Sequence, residues 1–298
     1  MHKERIGWIG TGVMGSSMCS HLIRAGHEVS LHTRTKGKAL SLLDMGASWC
    51  ISPGEVASGT DFIFSIVGYP EDVEEVYFSG NGLLDNARPG SVLVDMTTSR
   101  PSLACRIHRA ARERGCHSLD APVSGGDVGA AQATLAIMVG GDDGVYEKTL
   151  PLLNILGKSV SLMGGPGSGQ HTKMCNQIAI ASNMVGVVES MLYARKAGLD
   201  PSSVIDITGA GAAGSWSLNN LGRRIVKNDF NPGFFIKHFI KDLGIALDEA
   251  RRMCLALPGL ALAHQFYAAA SALDLEDLGT QGLYKVLERL NGMEQEEL

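Results

Sequence analysis

Two hydrophobic rhythms divide this chain. Up to about residue 160, short apolar runs recur between helical or looped stretches: Arg5–Ile9, Glu28–His32, Asp61–Val67, Ser91–Asp95, His117–Asp120 and Leu135–Val139. Such runs predict strands, and their alternation with helical patterns predicts βαβ units and a mainly parallel sheet. Beyond about residue 163 the strand pattern stops. Gly164-Gly165-Pro166-Gly167-Ser168-Gly169 opens a helical pattern running from about Gln170 to Ala197, and Gly198 closes it as a C-cap. At 1.5 Å per residue that helix reaches about 40 Å, enough to leave one domain and form the spine of another.

The remainder reads as helical throughout. Asp200 is a cap with Pro201 at the first helical position. Asn231-Pro232-Gly233 turns into a helix from about Phe235 to Met253, Pro258-Gly259 precedes a helix over Leu260–Leu273, and Asp274 is expected to start another toward Leu290. Glu294–Leu298 is polar and expected to fray. The pattern gives an α/β domain over residues 1–163 and an all-α domain over 164–298, joined by the long helix.

Gly10-Thr11-Gly12-Val13-Met14-Gly15 follows the first strand and opens a helix. In a dinucleotide fingerprint the first glycine makes the tight turn and the second lets a pyrophosphate reach the backbone. The third allows close helix–strand packing, and the helix N-terminus supplies amide donors. Strand, turn and helix stand in the right order, with a second strand at the expected distance. The first domain is therefore expected to be a Rossmann-type, doubly wound parallel sheet that binds NAD(P). At the end of the second strand, where NAD-preferring folds place a carboxylate, the chain reads His32-Thr33-Arg34-Thr35-Lys36. No carboxylate there accepts from a ribose 2′-hydroxyl, while a guanidinium, hydroxyls and an ammonium suit a 2′-phosphate. NADP(H) is the expected preference, with NAD(H) also usable; a basic solvated loop is the plainer reading.

Composition narrows the field further. The 298 residues are 45% hydrophobic and 19% charged, with a net charge of −5, which gives no electrostatic reason to expect nucleic acid or an anionic membrane as partner. Six scattered cysteines without a Cys-x-x-Cys pair suit reduced thiols, and nine histidines form no metal-ligand cluster, so no metal is expected. No signal peptide or bilayer-length apolar run is recognised, making the cytoplasm the expected compartment.

Candidate chemistry lies in three segments. In Lys173-Met174-Cys175-Asn176-Gln177, the two carboxamides stand three and four residues after the lysine and share its helix face. A partly buried amine at a helix N-terminus titrates below its usual range, as acid/base work requires; a surface lysine is the plain alternative. Ser124-Gly125-Gly126 follows the fifth strand in a turn whose amides and hydroxyl suit a carboxylate, though a tight loop needs the same residues. Lys241-Asp242 sits in an amphipathic helix with Phe239, Ile240, Leu243 and Leu247, and reads equally as a solvated ion pair. Met174, Met184 and Met191 read as core; His171 and His238 are not expected to act as bases.

Together these segments resemble the β-hydroxyacid dehydrogenase family, whose members include 3-hydroxyisobutyrate dehydrogenases, tartronate semialdehyde reductases and glyoxylate/succinic semialdehyde reductases. Its most specific motif, Gly-x-Gly-x-x-x-Lys-x-x-Asn, is matched by Gly167, Gly169, Lys173 and Asn176. The resemblance implies hydride transfer between a nicotinamide and a small hydroxy acid or semialdehyde, in a cleft between the domains that excludes water on closure. It makes Lys173 the general acid/base, with Asn176 and Gln177 orienting the substrate and Ser124, Gly125 and Gly126 holding its carboxylate. Cofactor contacts are expected from Gly10, Thr11, Gly12, Val13, Met14, Gly15, Thr33, Arg34, Thr35, Val67, Thr98 and Lys241. Thr97 stands where the family usually has Ser, and Thr33 where its NADP-type members have Asn. The loop Gly209–Trp216 falls where the family shapes selectivity. An imine reductase would lack the lysine, and a non-catalytic dinucleotide-binding module would not need Lys173, Asn176 and Ser124 together. The helical domain is expected to bind substrate and to support a homo-oligomer.

Overall fold

The computed structural model describes residues 3–293. It divides into two compact units between Lys173 and Met174. Strands of the first unit are β1 (Arg5–Ile9), β2 (Glu28–His32), β3 (Ser48–Trp49), β4 (Phe62–Ser65), β5 (Val92–Asp95), β6 (His117–Asp120), β7 (Val123–Ser124), β8 (Leu135–Gly141) and β9 (Gly157–Gly164). The sheet order is β3-β2-β1-β4-β5-β6-β8-β7, with β9 paired to β8. Pairing is parallel from β3 across to β6, antiparallel where β8 meets β6 and β7, and parallel again between β8 and β9.

Residue alternation explains why both faces are covered. Trp8, Phe62, Phe64, Val92 and Val94 bury into one hydrophobic cluster, while their neighbours Ile9, Ile63 and Leu93 bury into another. Successive side chains of a strand point to opposite faces, so the central strands need helices on both sides. The sheet is doubly wound, as the sequence suggests.

Three strands escape the sequence reading. β3 and β7 have two residues each, too few for a periodic signal. β9 alternates Ser159, Val160, Ser161 and Leu162 and is largely exposed, which leaves it little apolar character.

The second unit is helical. The helix Ser168–Lys196 spans 29 residues, or about 44 Å, and the division between the units falls inside it rather than at the glycine-rich stretch before it. Gly198, with φ +70°, ends it in a left-handed turn. Asp200 caps the helix Pro201–Gly209 by accepting from the Ser202 and Ser203 amides. The helices Ile236–Arg252 and Pro258–Ala272 follow. Asp274 does not begin a helix: its φ of +58° places it in the turn after Pro258–Ala272, and the last helix is Leu283–Leu290. Met174, Met184 and Met191 lie in the helical core, as read from the sequence. Glu294–Leu298, expected to fray, lies outside the described residues. No helix among the described residues is long and apolar enough to cross a membrane.

Candidate active site

The fingerprint glycines have three different reasons to be glycine. Gly10 has φ +94°, and a Cβ there would lie 2.1 Å from the Ile66 carbonyl oxygen. At Gly15 an added Cβ would lie 2.2 Å from the Gly10 carbonyl oxygen, so any side chain would force helix and loop apart. Gly12 faces nothing within 4 Å. The first and third close the turn, while the second leaves room for a group from outside. The helix Val13–Arg24 begins at Gly12 with no capping side chain and no acidic residue in its first turn, which leaves its amide donors and positive dipole end for an anion. Val13 is exposed, and Met14 is half-buried against the sheet core. Thr11 is buried with its hydroxyl oxygen unpartnered.

One locking contact has no counterpart in the motif. Trp8, fully buried, donates from Nε1 to the Gly10 carbonyl at 2.8 Å. The Gly10 amide in turn donates to the His32 carbonyl at 3.0 Å, tying the turn to the end of β2. Just beyond that end, Thr33 is half-buried, while Arg34, Thr35 and Lys36 are exposed. Lys36 lies over the Trp49 ring, 5.3 Å from its centroid. Arg34 makes an ion pair with Asp72, Nη1 to Oδ1, at 2.9 Å.

The loops after β4 and β5 are bound to each other. The Val67 amide donates to Thr97 Oγ1 at 3.0 Å. The Thr97 amide and the Ser65 hydroxyl both donate to Asp95 Oδ1, each at 3.1 Å. Burial raises the Asp95 carboxyl to about 7, against the pull of these bonds. Gln170, fully buried, braces the same segment from the long helix. Its Nε2 donates to the Thr97 carbonyl at 2.7 Å, and its Oε1 accepts from the Ser99 amide at 2.9 Å. Thr98 thus sits between two braced residues.

Asp120, at the end of β6, anchors the start of the long helix. Its two carboxylate oxygens accept from the Gly167 and Gln170 amides at 2.8 and 2.9 Å. Gly169 makes that approach possible, since a Cβ there would lie 2.4 Å from the Met138 carbonyl oxygen. Burial raises the Asp120 carboxyl, with the amide bonds opposing the shift. One turn on, Lys173 is only 6% exposed, and its Nζ donates to the Val123 carbonyl at 2.8 Å. It is not a surface lysine. Ser124, Gly125 and Gly126 follow immediately. Gly125 and Gly126 have φ +136° and +63°, backbone states that explain the glycine pair.

In the second unit four polar side chains form a chain. Asn176 Nδ2 donates to Gln177 Oε1 at 2.7 Å, Gln177 Nε2 donates to Asp242 Oδ2 at 2.6 Å, and Lys241 Nζ lies 3.0 Å from Asp242 Oδ1. Asp242 is 1% exposed and the Lys241 side chain 13%, so the solvated-pair reading is overturned: a buried carboxylate joins a cation to an amide.

Residues 5–165 match the family described as the NAD binding domain of 6-phosphogluconate dehydrogenase. Residues 167–287 match that described as NAD-binding of NADP-dependent 3-hydroxyisobutyrate dehydrogenase. The chain belongs to the β-hydroxyacid dehydrogenase family. Among its family relatives, a probable mitochondrial 3-hydroxyisobutyrate dehydrogenase-like protein of Arabidopsis thaliana is 53% identical, over 98% of this chain and 87% of that one. The 2-hydroxy-3-oxopropionate reductase of Escherichia coli is 41% identical, over 95% and 97% of the two chains. A solved structure, Mycobacterium tuberculosis 3-hydroxyisobutyrate dehydrogenase with L-serine, superposes with a TM-score of 0.88 at 30% identity, over 96% and 99%.

The chain is thus an NAD(P)-dependent hydroxyacid dehydrogenase, and its own geometry fits a dinucleotide. Open space at Gly12, an uncapped helix start and the buried Thr11 hydroxyl suit a pyrophosphate and its ribose oxygens. Three residues that brace this region carry no readable signal in the sequence: Trp8, Asp72 and Gln170. Trp8 stands two residues before the fingerprint and looks like any strand residue. The others act through partners distant in sequence.

Proposed function

We propose that the chain interconverts a small, carboxylate-bearing β-hydroxy acid and its semialdehyde, preferring NADP(H), with Lys173 as general acid/base. One observation carries this reading: a buried amine, held by the Val123 carbonyl, at the root of the Ser124–Gly126 turn. The amine and the turn's hydroxyl and amides reach the two oxygen functions such a substrate offers. When bound, the nicotinamide supplies or accepts the hydride.

Every other task falls to the chain. In reduction, Lys173 Nζ holds a proton and delivers it to the carbonyl oxygen of the substrate; in oxidation, the neutral amine takes the hydroxyl proton. The Val123 carbonyl fixes the amine's direction in both cases. Ser124 and the Gly125 and Gly126 amides hold the carboxylate. Asn176 and Gln177 orient the substrate, while Thr98, Val67 and Lys241 are assigned to the cofactor. Thr33, Arg34 and Thr35 take the 2′-phosphate, with Lys36 adding positive charge.

Steady-state kinetics with a panel of short hydroxy acids and semialdehydes, run with both cofactors, test this reading. Lys173→Ala should lower kcat by roughly 10²–10⁴-fold while NADPH binding survives. Wild-type turnover in that variant overturns the lysine's role. Equal kcat/KM for an acid and its amide overturns the carboxylate turn.

A further inference from the structure

We propose that Asp72 is a counter-charge to Arg34 that limits how strongly the chain selects NADP(H) over NAD(H). The inference rests on the reading that Arg34 meets the 2′-phosphate, and it deepens that reading. The end of β2 has no carboxylate, yet the fold brings one there from 38 residues away: Asp72 Oδ1 lies 2.9 Å from Arg34 Nη1.

The two partners differ in freedom. Arg34 is 77% exposed at its side chain, and Asp72 only 17%. Asp72 sits in the first turn of the helix Pro70–Phe78, where its other oxygen accepts from the Tyr69 amide at 3.0 Å. The carboxylate is therefore fixed, and the guanidinium swings against it. Two of its acidic neighbours on the helix pair elsewhere, Glu71 with Arg100 and Glu74 with Arg106. Asp72 alone of these three faces the predicted phosphate loop.

An exposed pair of this kind adds little to stability, so the fold does not depend on it. Its effect on a phosphate is larger. A guanidinium has five donors, and those not engaged by Asp72 remain for the ligand. A 2′-phosphate gripping that edge then sits within several ångströms of a fixed negative charge. NADPH feels this repulsion and NADH, with an uncharged 2′-hydroxyl, does not.

The test measures Kd for NADPH and NADH by nicotinamide fluorescence in wild type, Asp72→Asn, Asp72→Glu and Arg34→Ala. Asparagine keeps an oxygen for the Tyr69 amide, so Asp72→Asn preserves the helix start; thermal melting checks this. The ratio Kd(NADH)/Kd(NADPH) is expected to rise roughly three- to tenfold in Asp72→Asn and to stay near wild type in Asp72→Glu. The Asp72→Asn gain should shrink in 0.5 M salt, because screening weakens exposed charge effects. A structural role would not move with salt. If Arg34→Ala lowers the ratio but Asp72→Asn leaves it unchanged or lowers it, the counter-charge is wrong and the NADP reading stands. If Arg34→Ala leaves the ratio unchanged, both fall.

Discussion

Trp8 holds the fingerprint turn without approaching any reacting atom. Its indole N–H fixes the Gly10 carbonyl, the same oxygen that forbids a side chain at Gly15. Trp8→Phe keeps the ring against Phe64 and removes only the donor. Stability should fall by about 1 kcal/mol, and KM for the cofactor should rise severalfold with kcat little changed; denaturant melts and cofactor titrations check both. Asp95 makes a different prediction at the same scale. Its carboxyl is raised by burial from the ordinary 3.8 to about 7, so the folded state prefers it neutral. That contribution is whole below about pH 4 and is lost as pH rises through 7, where the unfolded chain has already released the proton. Asp95→Asn reproduces the acceptor at Oδ1 without a proton to lose. Wild-type stability relative to this variant should therefore decline between pH 4 and 7, by a few kcal/mol at most, and urea melts across that range would show it. A gap independent of pH would refute the assignment.

Among the elements, the long helix depends on a strand end outside itself. Asp120 replaces a local cap by accepting two amides of the helix start. Asp120→Ala leaves those donors buried without partners and should cost about 2–3 kcal/mol, measured by denaturant unfolding. It should also lower kcat, because the amine of Lys173 is carried on the next turn. Gln170→Ala should loosen the Thr97–Ser99 segment and raise KM for the cofactor with a smaller loss of stability. The sequence shows the helix, its glycines and the lysine because their spacing is local. Motif spacing also points to the Ser124–Gly126 turn. The partners that brace them are invisible in it: Gln170 reaches 71 residues back, and Gln177 reaches 65 residues forward to Asp242. Contacts made across the fold leave no periodic trace in the chain. The same limit hid β3, β7 and β9, whose runs are too short or too polar to read, and it misplaced the last helix, because Asp274 looks like a cap and acts as a turn.

For the whole molecule, the strongest sequence signal was the change from alternating strands to continuous helix near residue 163; the structure divides into two compact units between Lys173 and Met174. Each has its own core, on both faces of the sheet in the first and among the helices in the second. Cofactor contacts proposed at the fingerprint, the β2 end, Val67 and Thr98 all lie in the first unit. NADPH at a hundred times its Kd should stabilise the protein by about 2.7 kcal/mol. Hydrogen exchange should slow most over residues 5–36 and 67–99. Uniform protection across the chain would disagree with that placement.

The pinning of the long helix to Asp120 also sets a ruler. Lys173 stands three residues after Gln170, and an α-helix turns about 100° and advances 1.5 Å for each residue. One inserted or deleted residue between them would swing the amine roughly a quarter-turn away from the Val123 carbonyl, while the anchored end stayed in place. Length should therefore matter more in this stretch than the identity of the residues that fill it. His171 and Thr172 should accept many substitutions, whereas no homologue that keeps the reaction should carry a gap there.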